Sequence, residues 1–506
     1  MKGAVSAGSP HTTEAGLHAL RNGGNAVDAA IASTLMAGVA EPLLSGLGGA
    51  GMATVRFNGT TDCVDFFSNM PGLGGDPKPA SDMDQISIDY GPTTQSFLVG
   101  NGAAAVPGVP HGLSAMHERY GTVPMSVLAE PAIHAARNGV PVTAGFARVC
   151  ELLWPILNRT DAVRALFSHQ GNRLRQGDTF RCSDLADTLE AYATQGVEYF
   201  SSGHGGQAIL DHLGDETVLT TQDLMRQQAY IRTALPIRYR DATLWVPNAP
   251  SAAGIGLAHS LSVLEAGGPL GPPTGADTVA RIAEALGATF AIRGKPFLRD
   301  LFTDGFGESF LARVQAGRTG HRGPTPGYTT HISTADEQGN AVSITHSLGE
   351  TAGEVAGSTG ILINNFLGEA DVNPPSFQRP AGGRLITMCC PSILELGDGR
   401  IVALGSGGSS RIPTAVLHGT IYLTDAGWSV TDAVTGPRTH MESGTLHVES
   451  WDRTPDALES IGQQWPGHVR FDGPNMFFGG LHMAGVGPEG FCGSGDSRRS
   501  GSFGMG

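Results

Sequence analysis

The chain has 506 residues, 40% of them hydrophobic, and a formal net charge of −15 with only three lysines (Lys2, Lys78, Lys295). That length buries a large core and admits roughly two to four domains, while the negative balance and the lack of a basic stripe exclude a phosphate backbone as a natural partner. No run of about 18 apolar residues could span a bilayer, so neither nucleic acid nor membrane is an expected partner.

The opening MKGAVSAGSPHTTEAG lacks the basic start, apolar stretch and small-residue cleavage site of an export signal, and a cytoplasmic location is expected. From Thr12, TTEAGLHALRNGGNAVDAAIASTLMAGVAEP predicts a helix ending at Gly23-Gly24, then a second helix rich in small residues that allow close packing. MATVRFNGTTDCVDFF alternates around an Asn-Gly turn and predicts a hairpin. From about residue 110 to 315 the pattern is mainly helical, with few strand signals: GLSAMHERYG, VLAEPAIHAARNG, DLADTLEAYATQG and ADTVARIAEALGATFAIRG each end in a glycine stop. AGRTGHRGPTPGY, ending at Tyr328, holds no regular element and reads as an exposed, cleavable loop. After it TTHISTADEQGNAVSITHS predicts two strands, with further strands at GRIVALGS and TLHVESW. The class expected from this order is α+β in layers.

The six cysteines (Cys63, Cys150, Cys182, Cys389, Cys390, Cys492) form no C-x-x-C pair, so neither a metal site nor a cofactor is expected. Cys389-Cys390 read as buried small hydrophobes at the start of CCPSIL. Gly46, Gly48 and Gly51 match the dinucleotide-binding spacing, but a helix precedes them and a strand follows, the reverse of what that fingerprint needs. A packing turn is the better reading. No G-x-S-x-G elbow or H-E-x-x-H motif is present.

Seven segments, in order, carry a resemblance: HTTEAGLHALRNGGNAVDAAIA, SGLGGAGMA, AVPGVPHGL, YTTHISTADEQGNAVSITHS, GILINNFLGE, GSGGSSRI and GFCGSGDSRR. Over nearly its whole length the chain resembles the gamma-glutamyltranspeptidase family. The resemblance implies the four-layer αββα sandwich of N-terminal-nucleophile hydrolases. It also implies a precursor cut between Tyr328 and Thr329 into chains 1–328 and 329–506, which stay associated as a heterodimer acting on a small-molecule substrate. Thr329 would be the nucleophile. Its hydroxyl is weak without a base, but the cut frees its own α-amine, whose reference pKa near 8 leaves a useful neutral fraction. Thr330 is the less favoured candidate. The supporting hydroxyl falls on Ser347, where the family usually has Thr, and the oxyanion donors fall on Gly408 and Ser409, where the family has paired glycines.

The departures concern recognition of the acyl group. Where the family has an Arg for the substrate α-carboxylate, this chain has Phe67, and the paired serines that assist it fall on Thr387-Met388. A family Asn becomes Gly349, a polar residue becomes Phe366, and the acid that meets the α-amine becomes Glu369 rather than Asp. Loss of one charge-assisted clamp costs about 2 to 4 kcal/mol of binding. Weak or absent activity on glutathione-like substrates is therefore expected, with a flatter or aromatic ligand favoured by the two phenylalanines. A second reading follows relatives in antibiotic biosynthesis that hydrolyse a carbon–carbon bond in making pyrroline-type building blocks. A third is a non-catalytic relative acting as a binding protein.

Overall fold

The computed structural model describes residues 2–75, 81–89, 94–315, 329–450 and 453–506, so the expected loop 316–328, with Tyr328, lies outside the described residues. Strand β1 (Gly3–Ala7) leads into α1 (Pro10–Arg21), which Ser9 caps by accepting the His11 N–H. Helix α2 (Ala26–Ala40) follows, and its start is fixed by a reciprocal pair: Asn25 accepts from Val27 and Asp28, and Asp28 accepts the Asn25 N–H. The hairpin is β2 (Ala50–Phe57) and β3 (Thr60–Phe66), turning at Asn58 and Gly59 with φ of 49° and 81°. Two successive left-handed residues make the tight turn whose twist matches that of the strands.

The helical middle contains α3 (Val109–Tyr120), α4 (Met125–Asn138) and α5 (Ser183–Gln195). The expectation of few strands there needs correction. Strands β4 (Tyr230–Thr233), β5 (Leu235–Tyr239) and β6 (Ala242–Val246) come next, before α6 (Ala252–Ala266) and α7 (Ala276–Ile292), and all three join the main sheets. β4 and β5 are edge strands of four and five residues. β4 pairs with β3, far away in sequence, and β5 with β6 across the Arg240-Asp241 turn, so each local pattern is short and weak; Pro236 is tolerated because edges need fewer ladder donors.

The carboxyl-terminal part supplies β7 (Thr330–Asp336), β8 (Ala341–Ser347), β9 (Ser392–Glu395), β10 (Ile401–Gly407), α8 (Arg411–Thr424), β11 (Gly480–Gly487), β12 (Gly490–Ser494) and β13 (Ser502–Met505). Strand Thr445–Glu449 forms where TLHVESW predicts one, in a small separate sheet.

One antiparallel sheet runs β4-β3-β2-β8-β7-β1-β13 and the other β5-β6-β9-β10-β11-β12. They lie face to face, joined by side chains: Ser343 Oγ donates to the Leu404 carbonyl at 2.9 Å and Ser333 Oγ to that of His482 at 3.1 Å. The alternate residues of β7 point to the helices, where Thr334 Oγ1 donates to the Ala26 carbonyl and Asp336 accepts the Ala26 N–H. On the outer face of the other sheet, Leu244, Val402 and Leu404 pack with Ile255, Leu261, Leu286 and Val416 of α6, α7 and α8. The fold is the expected αββα sandwich; strands from both sides of residue 328 interleave in the first sheet and lie side by side, β6 against β9, in the second. No helix among the described residues is long and apolar enough to cross a membrane.

Candidate active site

Period-two alternation decides where Thr329 points. Odd-numbered residues of β7 and β8 face the space between the sheets, and the register Thr330↔His346 sets Thr329 opposite Ser347 at the open end of that space. Thr330 faces the other way and donates to Glu41 Oε2 at 2.7 Å. Its hydroxyl is thus committed to a buried carboxyl that also accepts from Thr12.

The turn between β10 and α8 closes over Thr329. Gly407 lies so near that an added Cβ would stand 1.8 Å from the Thr329 carbonyl oxygen, and Arg499 Nη1 donates to the same oxygen at 3.2 Å. Gly408 and Ser409 follow, at the amino end of α8, where backbone N–H groups carry positive partial charge. The glycine turn before β2 packs beneath Ser347: a Cβ on Gly49 would stand 2.1 Å from the Ser347 carbonyl oxygen. With helix α2 before it and strand β2 after it, that turn is a packing element, as the reversed order predicts.

A cleft of about 20 Å³ is lined by Thr329, Ser347, Phe67, Phe366, Glu369, Val372, Thr387, Met388, Cys389, Ser409 and Ile412. The structure therefore brings together the expected nucleophile, supporting hydroxyl, one oxyanion residue and nearly every expected recognition position. Gly408 and Gly349 are not in that lining. Ser347 Oγ accepts the Gly349 N–H at 2.8 Å, and Thr387 Oγ1 accepts the Cys389 N–H at 3.0 Å.

Two of the departures are paired in space. Gly349 has φ of 69°, and a Cβ there would lie 2.4 Å from Glu369 Oε1 and 2.1 Å from Asn365 Oδ1. The longer acid at 369 thus occupies room that a side chain at 349 would need. Phe67 and Phe366 also meet, with ring centroids 5.1 Å apart. Both are at most 2% exposed, so they fill the pocket wall instead of offering an open aromatic platform. The ring pair forms the apolar wall of this cleft.

Electrostatically the cleft is acidic. Burial, with the neighbouring Glu350 and Asp371 carboxyls, pushes Glu369 well above the usual carboxylate range, and its Oε1 has no hydrogen-bond partner among the described residues. Behind Met388 lies the buried Arg293, its Nη2 3.1 Å from the Met388 sulfur and 4.0 Å from Asp371 Oδ1. Among the described residues lining the cleft there is no His or Lys. The nearby His331 is engaged at both ring nitrogens, by Thr345 at 2.8 Å and Ser333 at 2.9 Å, and burial beside His482 and His346 holds it well below its ordinary pKa. Cys389 is buried and its thiol is pushed up to about 12, so it is no nucleophile at neutral pH.

Asp371, Arg293 and Arg499 escaped sequence reasoning. The spacing Glu369-x-Asp371 was the available signal for the first, and the segment GFCGSGDSRR, which ends at Arg499, for the last; Arg293 carries none.

The family model described as Gamma-glutamyltranspeptidase matches residues 12–505. The chain belongs to the gamma-glutamyltranspeptidase family. Among its relatives, the Acylase ACY 1 proenzyme of Pseudomonas sp. (strain V22) is 30% identical over 97% of this chain and 90% of its own length. The Glutathione hydrolase proenzyme of Escherichia coli (strain K12) is also 30% identical, over 91% and 84%. The cephalosporin acylase of Bacillus halodurans shares the fold, with a TM-score of 0.82 at 22% identity over 99% of this chain and 95% of that one. As a gamma-glutamyltranspeptidase family member, the chain is an enzyme of the N-terminal-nucleophile hydrolase type, a group that includes both acylases and glutathione hydrolases.

Proposed function

We propose that this chain is a self-processing threonine acylase whose acyl group is not γ-glutamyl. The observation that carries the reading is the composition of the cleft. Thr329, Ser347 and Ser409 share it, no described His or Lys lines it, Phe67 and Met388 stand at positions where the resemblance puts the carboxylate-binding groups, and Phe366 stands where it puts a polar residue. A base for the Thr329 hydroxyl then has to be the α-amine of Thr329 itself, which exists only after cleavage.

In the precursor, Thr329 Oγ attacks the carbonyl of residue 328, the amide nitrogen leaves as the new α-amine, and water hydrolyses the resulting ester. In turnover the α-amine takes the Oγ proton as Oγ attacks the substrate amide. The oxyanion is stabilised by the Gly408 and Ser409 N–H groups. The carbon–nitrogen bond breaks as the amine departs with that proton, and water then releases the acid from Thr329. Hydrogen-bonded pairing of strands from 1–328 with strands from 329–506 in both sheets supports chains that remain associated after the cut.

The proenzyme and acylase names of the relatives support this assignment. Retention of an acid at 369 without the arginine at 67 supports an acyl group that ends in an amine or other hydrogen-bonding function and has no α-carboxylate. Intact mass of wild type and Thr329→Ala, before and after incubation at neutral pH, tests the cleavage. Release of p-nitroaniline from γ-glutamyl-, 4-aminobutyryl- and butyryl-p-nitroanilide tests recognition. Two fragments from wild type alone, with 4-aminobutyryl preferred over γ-glutamyl, is the expected result. An uncut wild type, or a γ-glutamyl preference, defeats the corresponding half of the reading.

A further inference from the structure

The turn from β10 into α8 contains two successive left-handed residues, Gly408 with φ of 114° and Ser409 with φ of 48°. Glycine adopts this conformation freely, but a residue with a Cβ is biased against it by roughly five- to thirtyfold. Ser409 therefore needs an anchor. Its side chain is buried and donates from Oγ to Asp371 Oδ2 at 2.7 Å, a charge-assisted bond of the stronger kind. Asp371 is itself buried, two residues after Glu369, and its other oxygen faces Arg293 Nη2 at 4.0 Å. The guanidinium balances the carboxylate without reaching Ser409.

We propose that Asp371 is a positioning residue for acyl transfer. By gripping the Ser409 hydroxyl it holds Ser409 at positive φ and so fixes the direction of the Gly408 and Ser409 N–H groups toward the oxyanion formed at Thr329. The role follows from the departure at 409. A glycine reaches the conformation unaided and keeps the turn pliant, whereas serine with a carboxylate partner reaches it in one locked form. Asp371 touches neither substrate nor reacting atoms; it acts through Ser409. The inference rests on reading Gly408 and Ser409 as the oxyanion donors.

The test is a double-mutant cycle with two readouts: the first-order rate of self-cleavage, and the turnover of p-nitrophenyl acetate per cleaved molecule, with Thr329→Ala as the blank. Asp371→Asn should lower both rate constants about tenfold while KM stays within about twofold, since a misaimed oxyanion donor weakens the transition state and not ground-state binding. Placed in a Ser409→Gly background, the same substitution should cost less than about twofold, because glycine needs no anchor. Ser409→Ala leaves the Asp371–Arg293 pair in place and guards against a folding defect. It should fall about tenfold and end below Ser409→Gly. Equal cost of Asp371→Asn in both backgrounds, or a Ser409→Ala protein with wild-type rates, overturns the positioning role alone. A Thr329→Ala protein that still turns over the ester at the wild-type rate overturns the reading beneath it.

Discussion

Gly407→Ala probes the contact that joins the β10–α8 turn to the nucleophile. The added methyl would stand 1.8 Å from the Thr329 carbonyl oxygen and 2.7 Å from its carbon. Unbonded carbon and oxygen normally keep about 3.3 Å, so a gap of about 1.5 Å must open. Both sides are backbone, and no flexible side chain can swing aside. Overpacking of this kind costs about 1–3 kcal/mol, and displacement of about 1 Å at a reacting centre costs about 100-fold in rate. Self-cleavage should therefore slow about 100-fold. The melting temperature should fall by a few degrees at most, because a given loss moves Tm less in a long chain, about 2–4 °C per kcal/mol even at 150–250 residues. Intact mass against time at neutral pH measures the first quantity and circular dichroism the second. A Gly407→Ala precursor that cuts at the wild-type rate would refute the packing of this turn on Thr329.

Thr330→Ala should still self-cleave, but leaves Glu41 Oε2 without its 2.7 Å donor and should cost about 1–3 kcal/mol in chemical denaturation; loss of cleavage would instead point to Thr330 as the nucleophile. Glu369 has its folded-state pKa raised by burial and by the Glu350 and Asp371 carboxyls. The native protein therefore holds a proton there that the unfolded chain releases at ordinary carboxylate pH. The associated stability is full below the unfolded value and is lost as pH rises through the folded one. Glu369→Gln should remove that loss, and a variant whose denaturation midpoint falls with pH as the wild type's does would contradict it. Phe67→Arg should not recover γ-glutamyl-p-nitroanilide turnover. It discards a buried ring that packs on Phe366, and it sets a charge next to Arg384, which already donates to the Phe67 carbonyl and pairs with Asp65 at 3.3 Å. A loss of about 3–5 kcal/mol is expected, and a stable, γ-glutamyl-active variant would show that the pocket departs less from the family than the ring pair implies.

Several elements of the fold can be read along the chain because their cause is local. The alternation in THISTAD and AVSITHS determines which residues of β7 and β8 share a face. The Asn58-Gly59 turn fixes the first hairpin's register, and helix stops at Gly23, Gly121, Gly139 and Gly196 need only the residues beside them. The motifs around Thr329, Ser347 and Gly408 likewise carried the family and its candidate chemistry. The edge strands β4 and β5 did not announce themselves, because a short strand is defined mostly by the partner it pairs with.

The substitutions in the pocket show the same limit more sharply. Read one position at a time, Gly349, Phe366, Glu369 and Ser409 are separate losses from a family pattern. In three dimensions Gly349 makes room for Glu369, Phe366 packs on Phe67, and Ser409 is held by Asp371, 38 residues away along the chain. Sequence alone determined which backbone elements form and which residue types the chemistry has available. Only the tertiary structure decided which replacements compensate one another, because the energy of a buried side chain depends on the atoms across the cleft from it and not on its neighbours in the chain.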